Sequence, residues 1–147
     1  MKIIYLLFIL LTPLLTNNCN SQKMNNGKTS GNDKFFIIGS GGGFTGEYKQ
    51  FKVHESGEVE KLADDNEEYE HYSELEKSLA DSFFQELETL HIADQNFIHP
   101  GDMSFYLGVM KGEELHMVKW GDERYPMDKN IKNFFEKVAI EIYKKER

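Results

Sequence analysis

The sequence is short of cysteine, proline, tryptophan and positive charge. One cysteine excludes an intrachain disulfide framework and any cysteine-rich zinc site. Lys+Arg 17 against Asp+Glu 25 leave a formal net charge of −8. Phosphate backbones are held by clustered Lys and Arg, so this balance argues against nucleic acid as a partner. No apolar run reaches the roughly 20 residues that a membrane-spanning helix needs. What is present is a chain of 147 residues, 39% hydrophobic and 13% aromatic. That is too aromatic for a disordered polymer and long enough for one hydrophobic core, not two.

The N-terminus reads as an address. Met1-Lys2 opens it, and Ile3 to Leu15 is apolar on every face apart from Thr12, with Pro13 inside the run. The length suits the h-region of a secretory signal peptide. No A-x-A cleavage site follows. The run ends Leu14-Leu15-Thr16-Asn17-Asn18-Cys19, which resembles a bacterial lipoprotein lipobox. The family pattern has Leu three places before the Cys and small residues between; here Thr16, Asn17 and Asn18 stand there. The resemblance implies lipidation at Cys19; plain secretion is the alternative. Residues 20–33 are polar and rich in Asn, Ser and Gly, as in a flexible tether. Removing residues 1–18 takes away only Lys2 from the charge count. Anionic lipid would repel such a body, so acyl chains rather than surface charge would hold it to a membrane. The expected organisation is a signal peptide over 1–18, a lipidated tether over 19–33 and a single domain over 34–147.

Periodicity within 34–147 predicts an α+β fold, an antiparallel sheet in the chain order βββ-α-ββ-α with two helices on one face. Phe35-Phe36-Ile37-Ile38 reads as a first strand stopping at Gly39. Residues 48–54 and 59–63 read as the second and third strands, with Gly57 supplying a positive φ in the turn between them. The acidic stretch 64–70 reads as a solvated loop. Ser73-x-x-Glu76 fits a capping box opening a helix over 73–91, with Leu75, Leu79, Phe83, Leu87 and Leu90 at helical spacing. Phe105, Leu107 and Val109, then Val118 and Trp120, alternate across a hairpin turning at Gly112. Asp128 caps a last helix with the stripe Ile131, Phe134, Phe135, Val138 and Ile142.

Chemistry-bearing motifs are few. Ser40-Gly41-Gly42-Gly43-Phe44-Thr45-Gly46 contains G-x-G-x-x-G after a strand, but a second strand follows where a dinucleotide site requires a helix. The remaining readings are a hairpin connection, or a binding loop whose exposed backbone surrounds an apolar Phe44 tip. The histidines His54, His71, His91, His99 and His116 show no metal-ligand spacing, and the acidic run lacks calcium-loop glycine and spacing. No cofactor, metal or catalytic constellation is expected. Antiparallel pairing about the Gly112 turn brings His99-Pro100-Gly101 near Trp120-Gly121-Asp122. His99, Trp120 and Asp122 therefore form a candidate patch, or a packed turn. An enzyme using His99 and Asp122 would need both groups to line one pocket.

The series from Ser40-Gly41-Gly42-Gly43-Phe44-Thr45-Gly46 through His99-Pro100-Gly101 to Trp120-Gly121-Asp122 resembles a group of small bacterial envelope lipoproteins of unknown function. The layout is more remotely similar to emfourin-type inhibitors of thermolysin-like metalloproteases, in which a strand leads into Ser-Gly-Gly-Phe; here Gly41 is an extra glycine. The expected anchor, the tether, the Gly-rich loop and the lack of a catalytic constellation together point to a non-enzymatic, membrane-anchored interaction module of the cell envelope, outside the cytoplasm, with an envelope protein as partner. The alternative, implied by the emfourin-like layout, is a protease inhibitor acting through the Gly-rich loop.

Overall fold

The computed structural model describes residues 34–44, 46–64 and 68–144. The expected leader, Cys19, the tether, Thr45, residues 65–67 of the acidic stretch and residues 145–147 lie outside the described residues. Strands β1 (Phe35–Gly42), β2 (Glu47–His54), β3 (Glu58–Leu62) and β4 (Tyr69–Glu74) precede helix α1 (Lys77–Thr89). Strands β5 (Ile98–His99), β6 (Met103–Lys111) and β7 (Glu114–Trp120) then precede helix α2 (Lys129–Tyr143). The strands form one seven-stranded sheet in the order β4-β3-β2-β1-β6-β7-β5. Every pairing is antiparallel except β5 with β7.

Central strand β1 organises the core. Phe36 and Ile38 point to one face, where Phe51 and Val53 of β2, Val59 of β3, Leu107 of β6 and Val118 of β7 join them. Both helices lie on that face. Phe36 meets Phe84 of α1 at 5.2 Å between ring centroids and Phe134 of α2 at 5.7 Å. The α2 stripe is buried as its spacing predicts, and the Asp128 carboxylate accepts from the backbone N–H of Asn130 and Ile131. The β6–β7 register also follows from the turn, with Phe105 opposite Trp120.

The expected βββ-α-ββ-α order is corrected in three places. First, residues 69–74 form β4, so α1 starts at Lys77 and Ser73 does not cap it. Glu76 occupies the cap position without a side-chain hydrogen bond. Cross-strand contacts override the local capping signal: Tyr72 packs edge-on to Phe51 at 5.1 Å, and the Leu75 N–H donates to the Gly57 carbonyl at 2.8 Å. Gly57 has the expected positive φ of 103°, and a Cβ there would stand 2.5 Å from the Leu75 carbonyl oxygen. Second, β1 continues past Gly39 to Gly42. A Cβ on Gly39 would fall 2.2 Å from the Tyr106 ring, and one on Gly41 2.0 Å from the Tyr48 ring. These glycines let tyrosines lie on the strand rather than turn it. Third, the stretch read as a loop before β6 holds a 3-10 turn, Ile92–Asp94, and β5.

The Ser73 hydroxyl is buried and lacks a hydrogen-bond partner among the described residues. Ser73→Ala is therefore expected to leave stability unchanged or to raise it by up to about 1 kcal/mol. Loss of a helix cap would instead cost about 1 kcal/mol. Urea unfolding followed by the fluorescence of the single tryptophan distinguishes the two.

Candidate binding site at one end of the sheet

Three motifs that are far apart in the chain meet where β1 ends, β6 begins and β7 ends. Gly42 pairs with Met103, and the Gly43 N–H donates to the Asp102 carbonyl. Gly42 has φ 109°, and a Cβ on it would lie 2.4 Å from that same oxygen. A Cβ on Gly101 would lie 2.3 Å from the Gly121 carbonyl oxygen, and one on Gly121 2.2 Å from that of Met103. The Asp122 N–H donates to the His99 carbonyl at 3.1 Å. The Ser104 hydroxyl donates to the Gly101 carbonyl at 3.1 Å and accepts from the Gly101 N–H at 3.2 Å. The Gly-rich hairpin is thus tied to the His99-Pro100-Gly101 segment, and that segment to Trp120-Gly121-Asp122. Side chains at the three glycines would force the backbones apart.

The hairpin's own geometry divides the candidate loop. Ser40, Gly41 and Gly42 are strand residues, and Gly41 is buried. Gly43 and Phe44 form the turn with Gly46, whose N–H donates to the Gly43 carbonyl at 3.3 Å. Phe44 is fully exposed at its tip. Nearby on the same end, Tyr48 is 61% exposed and Met103 46%.

His99, Trp120 and Asp122 are neighbours through their backbones, but their side chains part. The His99 ring stacks on Tyr125 at 4.2 Å and 14°, with Phe97 edge-on at 4.7 Å. Trp120 is 5% exposed and packs between Phe105 and Phe135. Asp122 is taken by Arg124, whose Nη2 lies 2.7 Å from Oδ2 and whose backbone N–H donates to Oδ1 at 3.0 Å. The Arg124 guanidinium, with that N–H, holds the Asp122 carboxyl down at about 2. A carboxyl so held has no proton to donate near neutral pH. Beside Trp120, Asp122 lines an open groove of about 350 Å³ between the end of β7 and α2, and His99 is not in its wall.

Three of the other histidines serve separate partners. His54 Nε2 lies 2.9 Å from Glu60, His71 Nδ1 3.4 Å from Glu58, and His116 Nε2 2.6 Å from the Gln95 carbonyl. Burial would raise the Glu60 carboxyl, but His54 and Lys52 outweigh it and hold it below the usual range. Burial pushes the Tyr106 hydroxyl, on the face away from the helices, up to about 12. No three His, Cys, Asp or Glu side chains converge on a metal position among the described residues. Nor is any described helix long and apolar enough to cross a membrane. The chain matches no known family model, and a search of curated proteins finds no match.

Sequence reasoning missed the groove, because Tyr125, Pro126 and Met127 reach it from an irregular segment with no periodicity. The Trp120-Gly121-Asp122 motif was the signal closest to it.

The Asp122–Arg124 pair carries a pH signature. A carboxyl titrating at about 2 in the folded chain, against an ordinary 3.8, contributes stability above pH about 4. That contribution is lost as pH falls toward 2. Arg124→Ala is expected to return the Asp122 titration toward 3.8, read by carbon-detected NMR of the carboxyl.

Proposed function

We propose that this protein is a non-enzymatic interaction module, anchored by lipid at Cys19 to a membrane of the bacterial cell envelope, that grips a partner protein with the Phe44 hairpin tip. One observation carries the binding role: Phe44 stands fully exposed on a turn whose base is fixed by the Gly43–Asp102 hydrogen bond. An exposed aromatic side chain gains nothing for the isolated fold. Buried in a partner's pocket it contributes about 1.5–3 kcal/mol. A fixed base reduces the conformational freedom lost on binding. The envelope location rests on the leader-like run Ile3 to Leu15 and on Cys19 directly after it.

Protease inhibition is the second reading. A narrow, stapled hairpin with one apolar side chain at its tip has the shape that enters a cleft, and the layout resembles emfourin-type inhibitors. Under this reading the full chain slows a thermolysin-like metalloprotease, and Phe44→Ala relieves the inhibition.

Phe44→Ala is expected to lower affinity for the envelope partner about 10- to 100-fold while leaving thermal unfolding unchanged. Crosslinking in envelope fractions, wild type beside variant, reads this; identical crosslinks from both would overturn the tip's role. The anchor has its own check. Metabolic labelling with a radioactive fatty acid should mark the wild type and not Cys19→Ala, and an unlabelled wild type removes the lipid anchor.

A further inference from the structure

The groove between β7 and α2 has a chemistry that Phe44 does not share. Its floor is aromatic: Trp120 meets Phe135 edge-on at 5.2 Å, and Phe105 stacks on Trp120 at 6.0 Å. Tyr125, 48% exposed, forms a wall; His99, stacked on its ring, and Arg124, 5.9 Å from the ring centroid, both lie outside the lining. Glu123 and Glu136 stand at the rim, both exposed and neither in an ion pair among the described residues. Asp122 is already neutralised by Arg124. Lys132 is the one cation in the lining, so two unneutralised carboxylates face a single ammonium. The net charge of −8 adds an attractive field for cations.

We propose that this groove is a binding site for an arginine side chain, presented beside an apolar residue by a partner polypeptide. The guanidinium is flat, stacks on an exposed aromatic face and pairs with carboxylates in a fork, so it satisfies the Tyr125 wall and the rim together, above a floor of nearly buried rings. Lysine, a hydrated point charge, satisfies the rim alone. A volume of about 350 Å³ holds that side chain and part of its neighbour. An acidic segment is repelled by the rim, and a purely apolar one leaves the two carboxylates without a gain. The site is independent of the Phe44 tip, although both open at the same end of the sheet.

The single tryptophan lies in the floor, so the site carries its own reporter. The full chain is titrated in low salt with N-acetyl-Leu-Arg-amide, and with the same dipeptide carrying citrulline, the neutral isostere of arginine. Trp120 emission and titration heat are followed together. The arginine peptide is expected to saturate and to bind at least about threefold more tightly than the citrulline peptide, with the difference shrinking at high salt. The double variant Glu123→Gln/Glu136→Gln, altered only at exposed positions, is expected to bind both peptides alike. Phe44→Ala is expected to leave the preference intact, which separates this site from the tip. Absence of saturation in both emission and heat, or equal binding of the two peptides by wild type, overturns the proposal.

Discussion

The fold depends on the burial of Phe36 between two helices. It lies on the central strand, paired with β2 on one side and β6 on the other, and its ring touches one phenylalanine from each helix. Burying such a ring contributes about 1.5–3 kcal/mol, a large share of the 5–15 kcal/mol margin of a typical domain. Because both helices and both central hairpins meet at this side chain, their positions are set together. The end of the sheet where the candidate site lies is held in place by that same packing.

Glycine is used here in two ways, and the difference has consequences for function. Gly39 and Gly41 lie under the rings of Tyr106 and Tyr48, so they shape the face away from the helices. Gly42, Gly101 and Gly121 let three backbone segments touch, so they shape the site. The first set makes Ser40, Gly41 and Gly42 part of a strand. Beyond them Phe44 stands fully exposed. A motif that looks like one flexible loop is therefore a rigid strand with a short exposed turn.

The site end carries two chemically different surfaces. The tip is apolar and neutral; the groove is aromatic with a carboxylate rim. The pairs that sequence proximity suggests as reactive are committed elsewhere: Asp122 to Arg124, His99 to Tyr125 and Phe97. Such pairings fix the shape and charge of this surface.

Where a signal is local, the sequence is enough. The alternation on both sides of Gly112 settles the β6–β7 register, because side chains on a strand repeat every two residues and the turn allows one pairing. Asp128 and the stripe to Ile142 settle α2 in the same way. The β6–β7 register leads one to expect His99 near Trp120, and they do meet, but through the parallel pairing of β5 with β7, which the turn at Gly112 does not dictate. Residues 69–74 were not legible: their polarity suits a solvated loop and Ser73 suits a cap, until Phe51 offers Tyr72 a packing partner. The Gly-rich stretch failed for a similar reason, since only the tyrosines above it, from other strands, show why it must be bare. Composition and short-range pattern thus determined the elements with their own periodicity and caps. The tertiary structure alone decided the edge strand, the glycine contacts and the groove, because each depends on a partner surface that is distant along the chain.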